Sequence, residues 1–204
     1  VTTIRTADGW SYTLSADDRI WLARAAEGEG GEPGDVIWAY LQRLCLRSFR
    51  SWTLSAVVQG HSQAINPDWL ATGSQCRPGG SSSSSEACSA SWTARRAALR
   101  AKPLSQLSGD VQAAIAALDA GILPNTAERC VDFATQSVAS SYVSRNPSSR
   151  ILFCRGNCFV AYPESLAWPA GFVAIGPSST NWLLGAGLAI IAGALGWWVW
   201  RTTR

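Results

Sequence analysis

Between Ser165 and Trp200 the chain carries no charged side chain. The dense part of that run, from Trp182 to Trp200, has the length of a helix crossing the hydrocarbon core of a bilayer. Tryptophans stand at both of its ends, where interfacial anchors belong. Residues 181–200 are therefore expected to form a single transmembrane helix, with a lipid bilayer as partner and 201–204 as a basic tail. The alternative is a buried core helix. Gly185, Ala189 and Gly193 fall at i, i+4 and i+8, a stripe that would admit helix–helix association. Arg201 and Arg204 follow the span, so the positive-inside rule keeps the tail cytoplasmic and the N-terminal domain across the membrane.

That leaves residues 1–165 for one folded domain and 166–180 for a linker. A chain of 204 residues is long enough for such a domain to bury a core of its own. Net charge is +3 and no dense Lys/Arg cluster occurs, so nucleic acid is not an expected partner. No basic region followed by an apolar run opens the chain, so a cleavable signal peptide is not expected within it. No methionine occurs, and the expectation is that an initiator was removed or a longer precursor cut.

The chain has six cysteines, no Cys-x-x-Cys pair and His61 as its one histidine, a poor donor set for zinc. No metal or other cofactor is expected. An even cysteine count reads as disulfides outside the reducing cytosol, and as free buried thiols within it. Cys76–Cys88, across a Gly/Ser-rich loop, and Cys154–Cys158, flanking a turn, are the local candidates, which leaves Cys45–Cys130 as the third pair.

Ser15 can cap a helix over about Ala16–Glu27, with Asp18 completing a Ser-x-x-acid capping box. Leu22, Ala25, Ala26 and Glu29 follow at i, i+3, i+4 and i+7, one face that stays apolar until Glu29. A carboxyl ending an apolar stripe is partly desolvated and can hold a proton near neutral pH. Glu27 points to nearly the opposite side, so only one of the two can face a given cleft. The plain alternative is a solvated acidic turn. After Gly30-Gly31-Glu32-Pro33, the residues Val36, Ile37, Tyr40, Leu41 and Leu44 mark a second helix. Residues 52–58 suit a helix or turn. Residues 92–102 suit a basic helix with Arg95, Arg96 and Arg100 on a solvated face. Val111, Ile115 and Leu118 mark another helix, and 151–163 a short hairpin.

Leu22-Ala23-Arg24-x-x-x-Gly28-Glu29, the Gly-rich turn ending Glu32-Pro33, and a second helix carrying Leu41-Gln42-Arg43 resemble the entry motif of SleB-type cell-wall hydrolases. This group includes spore-cortex-lytic enzymes and related phage proteins. His61-Ser62-Gln63-Ala64-Ile65-Asn66-Pro67-Asp68-Trp69 is similar to the Tyr-Ser-Gln-Pro-Ile-Asn-Pro-x-Trp segment of phage and proteobacterial relatives. Leu123-Pro124-Asn125 with Val131-Asp132-Phe133-Ala134, and the hairpin's second half, Gly156-Asn157-Cys158-Phe159-Val160-Ala161-Tyr162-Pro163, are similar to later stretches of the family.

The resemblance implies an α+β, mostly helical, lysozyme-like domain with a small β-hairpin, ahead of the C-terminal transmembrane helix. It implies a peptidoglycan lytic transglycosylase or muramidase with Glu29 as catalytic acid. Glu32, Ser62, Gln63, Asn66, Trp69, Asn157 and Phe159 are the implied substrate-binding residues. Amides and hydroxyls there suit sugar hydroxyls and N-acetyl groups, and Trp69 offers a stacking face. The plain alternatives are an Asn-Pro turn over a buried Trp and a structural hairpin. No second carboxylate stands out as the partner most glycosidases use, which favours a transglycosylase, although Glu32 or Asp68 could lie nearby. The expected location is a membrane, with the domain extracytoplasmic or within a virion. The rival expectations are a non-catalytic peptidoglycan binder and a structural membrane protein of a virion or envelope.

Overall fold

The computed structural model describes residues 1–177. The expected span at 181–200 lies outside the described residues. Among them, no helix is long and apolar enough to cross a membrane. Over the described residues the fold is α+β, with seven α-helices and two three-stranded antiparallel sheets.

Strands β1 (Thr2–Thr6) and β2 (Ser11–Thr13) lead into helix α1 (Ala16–Glu29). The capping box forms as its sequence signature requires. Asp18 N–H donates to Ser15 Oγ at 3.1 Å, and Ser15 N–H to Asp18 Oδ2 at 2.8 Å. Asp18 is fully buried and also accepts from Tyr12 Oη and Ser55 N–H, tying β2 and α3 (Leu54–His61) to the start of α1. With a further contact from Ser15 Oγ at 2.9 Å, four hydrogen bonds make that buried carboxylate tolerable.

Helix α2 (Pro33–Cys45) is the centre of the core. Val36, Ile37, Tyr40, Leu41 and Leu44 pack against Leu22, Ala25 and Ala26 of α1, Val57 and Val58 of α3, and Ile115 and Leu118 of α5 (Gly109–Asp119). Each fully buried Leu or Ile contributes roughly 1.5–3 kcal/mol. Burial continues round the polar side of α2, where the sequence pattern leads one to expect solvent. Gln42 is 1% exposed and its amide is spent on the chain. Its Nε2 donates to Ala127 O and Cys130 O, and its Oε1 accepts from Arg129 N–H. These bonds hold the segment that enters β3 (Asp132–Ala134).

The hairpin expected at 151–163 is β4 (Arg150–Arg155) and β5 (Asn157–Ala161), turning at Gly156. Strand β3 joins it in the order β3-β5-β4, with α6 (Gln136–Arg145) packed against this sheet. After the short α7 (Pro163–Leu166) comes β6 (Val173–Pro177), which pairs with β1 along its length. The domain thus runs through part of the stretch read as a linker. A five-residue strand has too short a pattern to separate from extended linker chain.

Helix α4 (Ala90–Ala101) corrects the expectation of three solvated arginines. Arg96 is fully buried. It donates to Gln63 O at 2.6 Å, Trp69 O at 2.9 Å and Ala87 O at 2.5 Å. Arg100 donates to Ile65 O and stacks on Trp21. Arg95 remains exposed.

Both local disulfides are present, Cys76–Cys88 and Cys154–Cys158. The expected third pair, Cys45–Cys130, does not form: both cysteines are free and buried, each with its thiol turned to a nearby backbone carbonyl, Leu41 O and Glu128 O. Burial pushes both thiols up to about 12, so at neutral pH neither supplies a reactive thiolate. Alkylation of the native, unreduced protein is expected to label neither. Unfolding without reductant should expose two thiols, and reduction all six. Intact mass after each step checks this; two labelled thiols before unfolding would contradict the packing of α2.

Candidate active site

Glu29 ends α1 and faces a cleft of about 280 Å3 between the helices and the β3-β5-β4 sheet. Helix α1 runs two residues past the boundary expected from periodicity, so Glu29 is on its last turn. Gly28 permits what surrounds it. A Cβ at Gly28 would lie 2.5 Å from both Ala64 Cβ and Leu99 Cδ2, so any larger residue would push away the 62–65 segment and α4. That segment is what reaches the carboxyl. Ser62 Oγ–H donates to Glu29 Oε1 at 2.5 Å and Ala64 N–H donates to the same oxygen at 3.3 Å. Oε2 has no hydrogen bond among the described residues, leaving it as the oxygen that can carry a proton toward the cleft.

Burial pushes the Glu29 carboxyl above the ordinary carboxylate range. The bonds from Ser62 and Ala64 oppose this, the charge of Asp132 adds to it, and Arg96 opposes it. Glu27 has the other environment. Lys102 Nζ lies 2.7 Å from its Oε1 and Ser108 N–H donates to its Oε2. Against burial, these partners hold Glu27 below the ordinary range. Two carboxylates two residues apart are thus separated into one suited to hold a proton and one held ionised.

The opposite wall approaches through two glycines at positive φ. Gly31 (φ +78°) and Gly156 (φ +72°) meet so closely that a Cβ on Gly156 would lie 3.1 Å from Gly31 Cα. The contact carries Asn157 across the helix end, where its Nδ2 donates to Glu29 O at 3.3 Å. Gln63 and Asn157 line the cleft, and the buried Ser62 sits behind it.

Besides Ser62, four residues of the expected binding set do not line this cleft. Glu32 borders a separate cavity with Asp35 and Arg155, because the turn aims it to the far side of the α2 N-terminus. Asn66 is spent on its own turn, accepting from Asp68 N–H and donating to Gly60 O. Trp69 lies against the Arg96 guanidinium. Phe159 is 1% exposed and stacks on Phe153 with ring centroids 4.7 Å apart, as core.

Sequence reasoning missed Asp132, Tyr40, His61 and Trp92, all of which line the cleft. Asp132 is the second carboxylate. Its Oδ1 is 3.0 Å from Arg43 Nη1 and accepts from Phe133 N–H, while Oδ2 accepts from Tyr162 Oη. Such a carboxylate is a fixed negative charge; both oxygens are already engaged. Partial burial, then the nearby Arg43, lower the His61 imidazole; the ring is still largely open to solvent, and it faces the cleft as neutral imidazole. Burial raises the Tyr40 phenol well above its usual value, and the charge of Glu29 adds to this. No signal in the sequence ties Asp132 to Glu29, although Asp132 lies in a stretch already noted as similar to the family.

Among the described residues no group of three His, Cys, Asp or Glu side chains could hold a metal ion. What the arrangement can do is proton chemistry: a desolvated acid with one free oxygen, a fixed anion nearby, and amide and ring surfaces for a polar, ring-shaped ligand. No protein-family model matches the chain, and no curated protein or solved structure matches it significantly.

Proposed function

We propose that this chain cleaves the β-1,4 bond between N-acetylmuramic acid and N-acetylglucosamine in peptidoglycan, as a lytic transglycosylase. The observation that carries the reading is Glu29. It is a carboxyl at a helix end, raised by burial, pinned through Oε1 and open through Oε2 to a cleft lined by Gln63 and Asn157. The resemblance to SleB-type hydrolases supports it from the sequence side, since their catalytic acid aligns with Glu29. A helical body facing a small antiparallel sheet across that Glu is compatible with the lysozyme-like fold the resemblance implies.

In the proposed reaction Glu29 Oε2–H protonates the glycosidic oxygen as its bond to the muramic C1 breaks. Positive charge grows at C1, and the fixed carboxylate of Asp132 stabilises it. The muramic acid's own 6-hydroxyl then bonds to C1. Its proton passes to the Glu29 carboxylate, which restores the acid and leaves a 1,6-anhydro product. Asp132 is not assigned the role of base or nucleophile, because Arg43, Tyr162 and Phe133 N–H occupy its oxygens. The 181–200 segment would tether the enzyme to a bilayer, with the domain on the wall side of a cell envelope or inside a virion.

The full chain incubated with purified sacculi is expected to release muropeptides ending in 1,6-anhydromuramic acid, read by liquid chromatography and mass spectrometry. Reducing ends alone would replace this route with hydrolysis. No release would overturn the enzyme reading. The rate should fall as pH rises through the raised Glu29 value, because the acid form is needed. Asp132 helps raise that value, so Asp132→Asn is expected to move this limb to lower pH and to slow the plateau. A limb that stays in place would remove Asp132 from the mechanism.

A further inference from the structure

Trp92 lines the Glu29 cleft. Trp92 also borders a cavity of about 210 Å3 with Ser91 and Arg95, and Arg95 in turn borders the largest cavity described, about 540 Å3. Gly28 lines both this large cavity and the Glu29 cleft. One face of α4, continued by its C-cap, borders all three: Trp92, Arg95, Leu99 and the C-cap Lys102 fall at i, i+3, i+7 and i+10. The cations along it differ. Lys102 is paired with Glu27 at 2.7 Å. Arg95 has no ion pair or hydrogen bond among the described residues; its guanidinium lies over the Trp92 ring at 5.2 Å. Stacking uses the face of a guanidinium and leaves its N–H edge for a planar anion.

Resting on the proposed reaction, we infer that the α4 groove is a subsite for the acidic stem peptide of peptidoglycan, and that Arg95 binds a carboxylate of that peptide. The glycan itself is uncharged where the lactyl group is amidated, so an arginine beside the cleft has only peptide carboxylates to recognise. The peptide branches from the muramic acid, one of the two sugars at the cleaved bond, which brings its first residues within reach of a groove that begins at Trp92. The apolar floor at Ala98 and Leu99 suits the short aliphatic side chains of such peptides.

Calorimetric titration of the full chain with a GlcNAc–MurNAc disaccharide carrying its tetrapeptide, and with the same disaccharide whose lactyl carboxyl is capped as a neutral methylamide instead, tests this. The wild type is expected to prefer the peptide-bearing fragment by roughly ten-fold, the strength of one charge-assisted contact at a partly exposed site. The preference should shrink as salt is raised. Arg95→Ala should reduce it to near unity, and Arg95→Lys should keep part of it, which a purely structural role for Arg95 would not produce. Equal affinity of the wild type for both fragments, or an undiminished preference in Arg95→Ala, overturns the inference. Failure of both fragments to bind overturns it too. Sacculi digested without any peptide preference would sink the subsite and leave the cleavage reading standing. An Arg95-dependent preference with sacculi left intact would do the reverse.

Discussion

Glu29→Gln is expected to lower muropeptide release by on the order of 10²–10⁴-fold, the usual contribution of a positioned general acid, while the fold survives. Glutamine keeps the shape and can still accept from Ser62 and Ala64 through its amide oxygen, but it has no proton to give. Stability should not fall, and the sign can be worked out. Burial raises the Glu29 carboxyl in the folded protein, so the native state holds this proton more tightly than the unfolded chain does. Stability from this group is present at acid pH and is lost as pH rises from the ordinary carboxylate range through the raised value. Glutamine escapes that loss. At neutral pH the variant should therefore unfold at the same or a higher temperature than the wild type, and below the ordinary carboxylate range the difference should vanish. Glu27→Gln serves as the control, since Glu27 is engaged by Lys102 and Ser108 away from the cleft. Full activity in Glu29→Gln together with loss in Glu27→Gln would reverse the assignment of the two carboxylates.

The largest loss of stability is expected from Arg96→Leu. The substitution removes the donor for three backbone carbonyls, at Gln63, Trp69 and Ala87, in a site closed to solvent. Leucine fills part of the volume and satisfies none of them. At about 1–3 kcal/mol for each orphaned buried carbonyl, and with partial relaxation, the cost is on the order of 3–5 kcal/mol. That corresponds to a fall in melting temperature of roughly 10 °C for a domain of this size. The same arginine connects α4 to the Gln63–Trp69 segment that reaches Glu29, so activity should fall with stability. Arg95→Leu, one residue away on the exposed side, should leave the melting temperature almost unchanged. Equal melting temperatures for Arg96→Leu and wild type would mean that the three carbonyls are satisfied in another way.

The two arginines illustrate the limit of the sequence pattern. Arg95 and Arg96 look alike in a basic, helix-forming stretch, and periodicity sorts side chains only by their hydrophobicity. Arg96 is buried because the chain at Gln63 and two short 3-10 turns, Pro67–Trp69 and Glu86–Cys88, turn carbonyls toward it that no regular strand or helix satisfies. A demand made by distant backbone leaves no trace in the residues around Arg96. Asp132 was missed for a related reason. It is brought to the cleft by Arg43 and by the bonds of Gln42 to residues 127–130, and all of these partners lie more than eighty residues away in the chain. Glu32 and Asn66 were wrongly expected in the cleft because a motif gives order along the chain, and a turn can direct neighbours to opposite sides.

What the sequence determined by itself is the part set by contacts within a turn or two of chain. Ser15 and Asp18 start α1, the Leu22-Ala25-Ala26 stripe orients it, and the 3.6-residue period separates Glu29 from Glu27. Cys76–Cys88 and Cys154–Cys158 close short loops, and 151–163 turns back on itself at Gly156. Tertiary structure decided what depends on long-range closure. It pairs β1 with β6, keeps Cys45 and Cys130 as separate thiols, buries Arg96, and sets Asp132 across the cleft from Glu29. The physical reason is the same in each case. Local structure follows from covalent spacing and nearest-neighbour sterics, whereas a buried charge or an unpaired edge is placed by whichever distant groups can satisfy it.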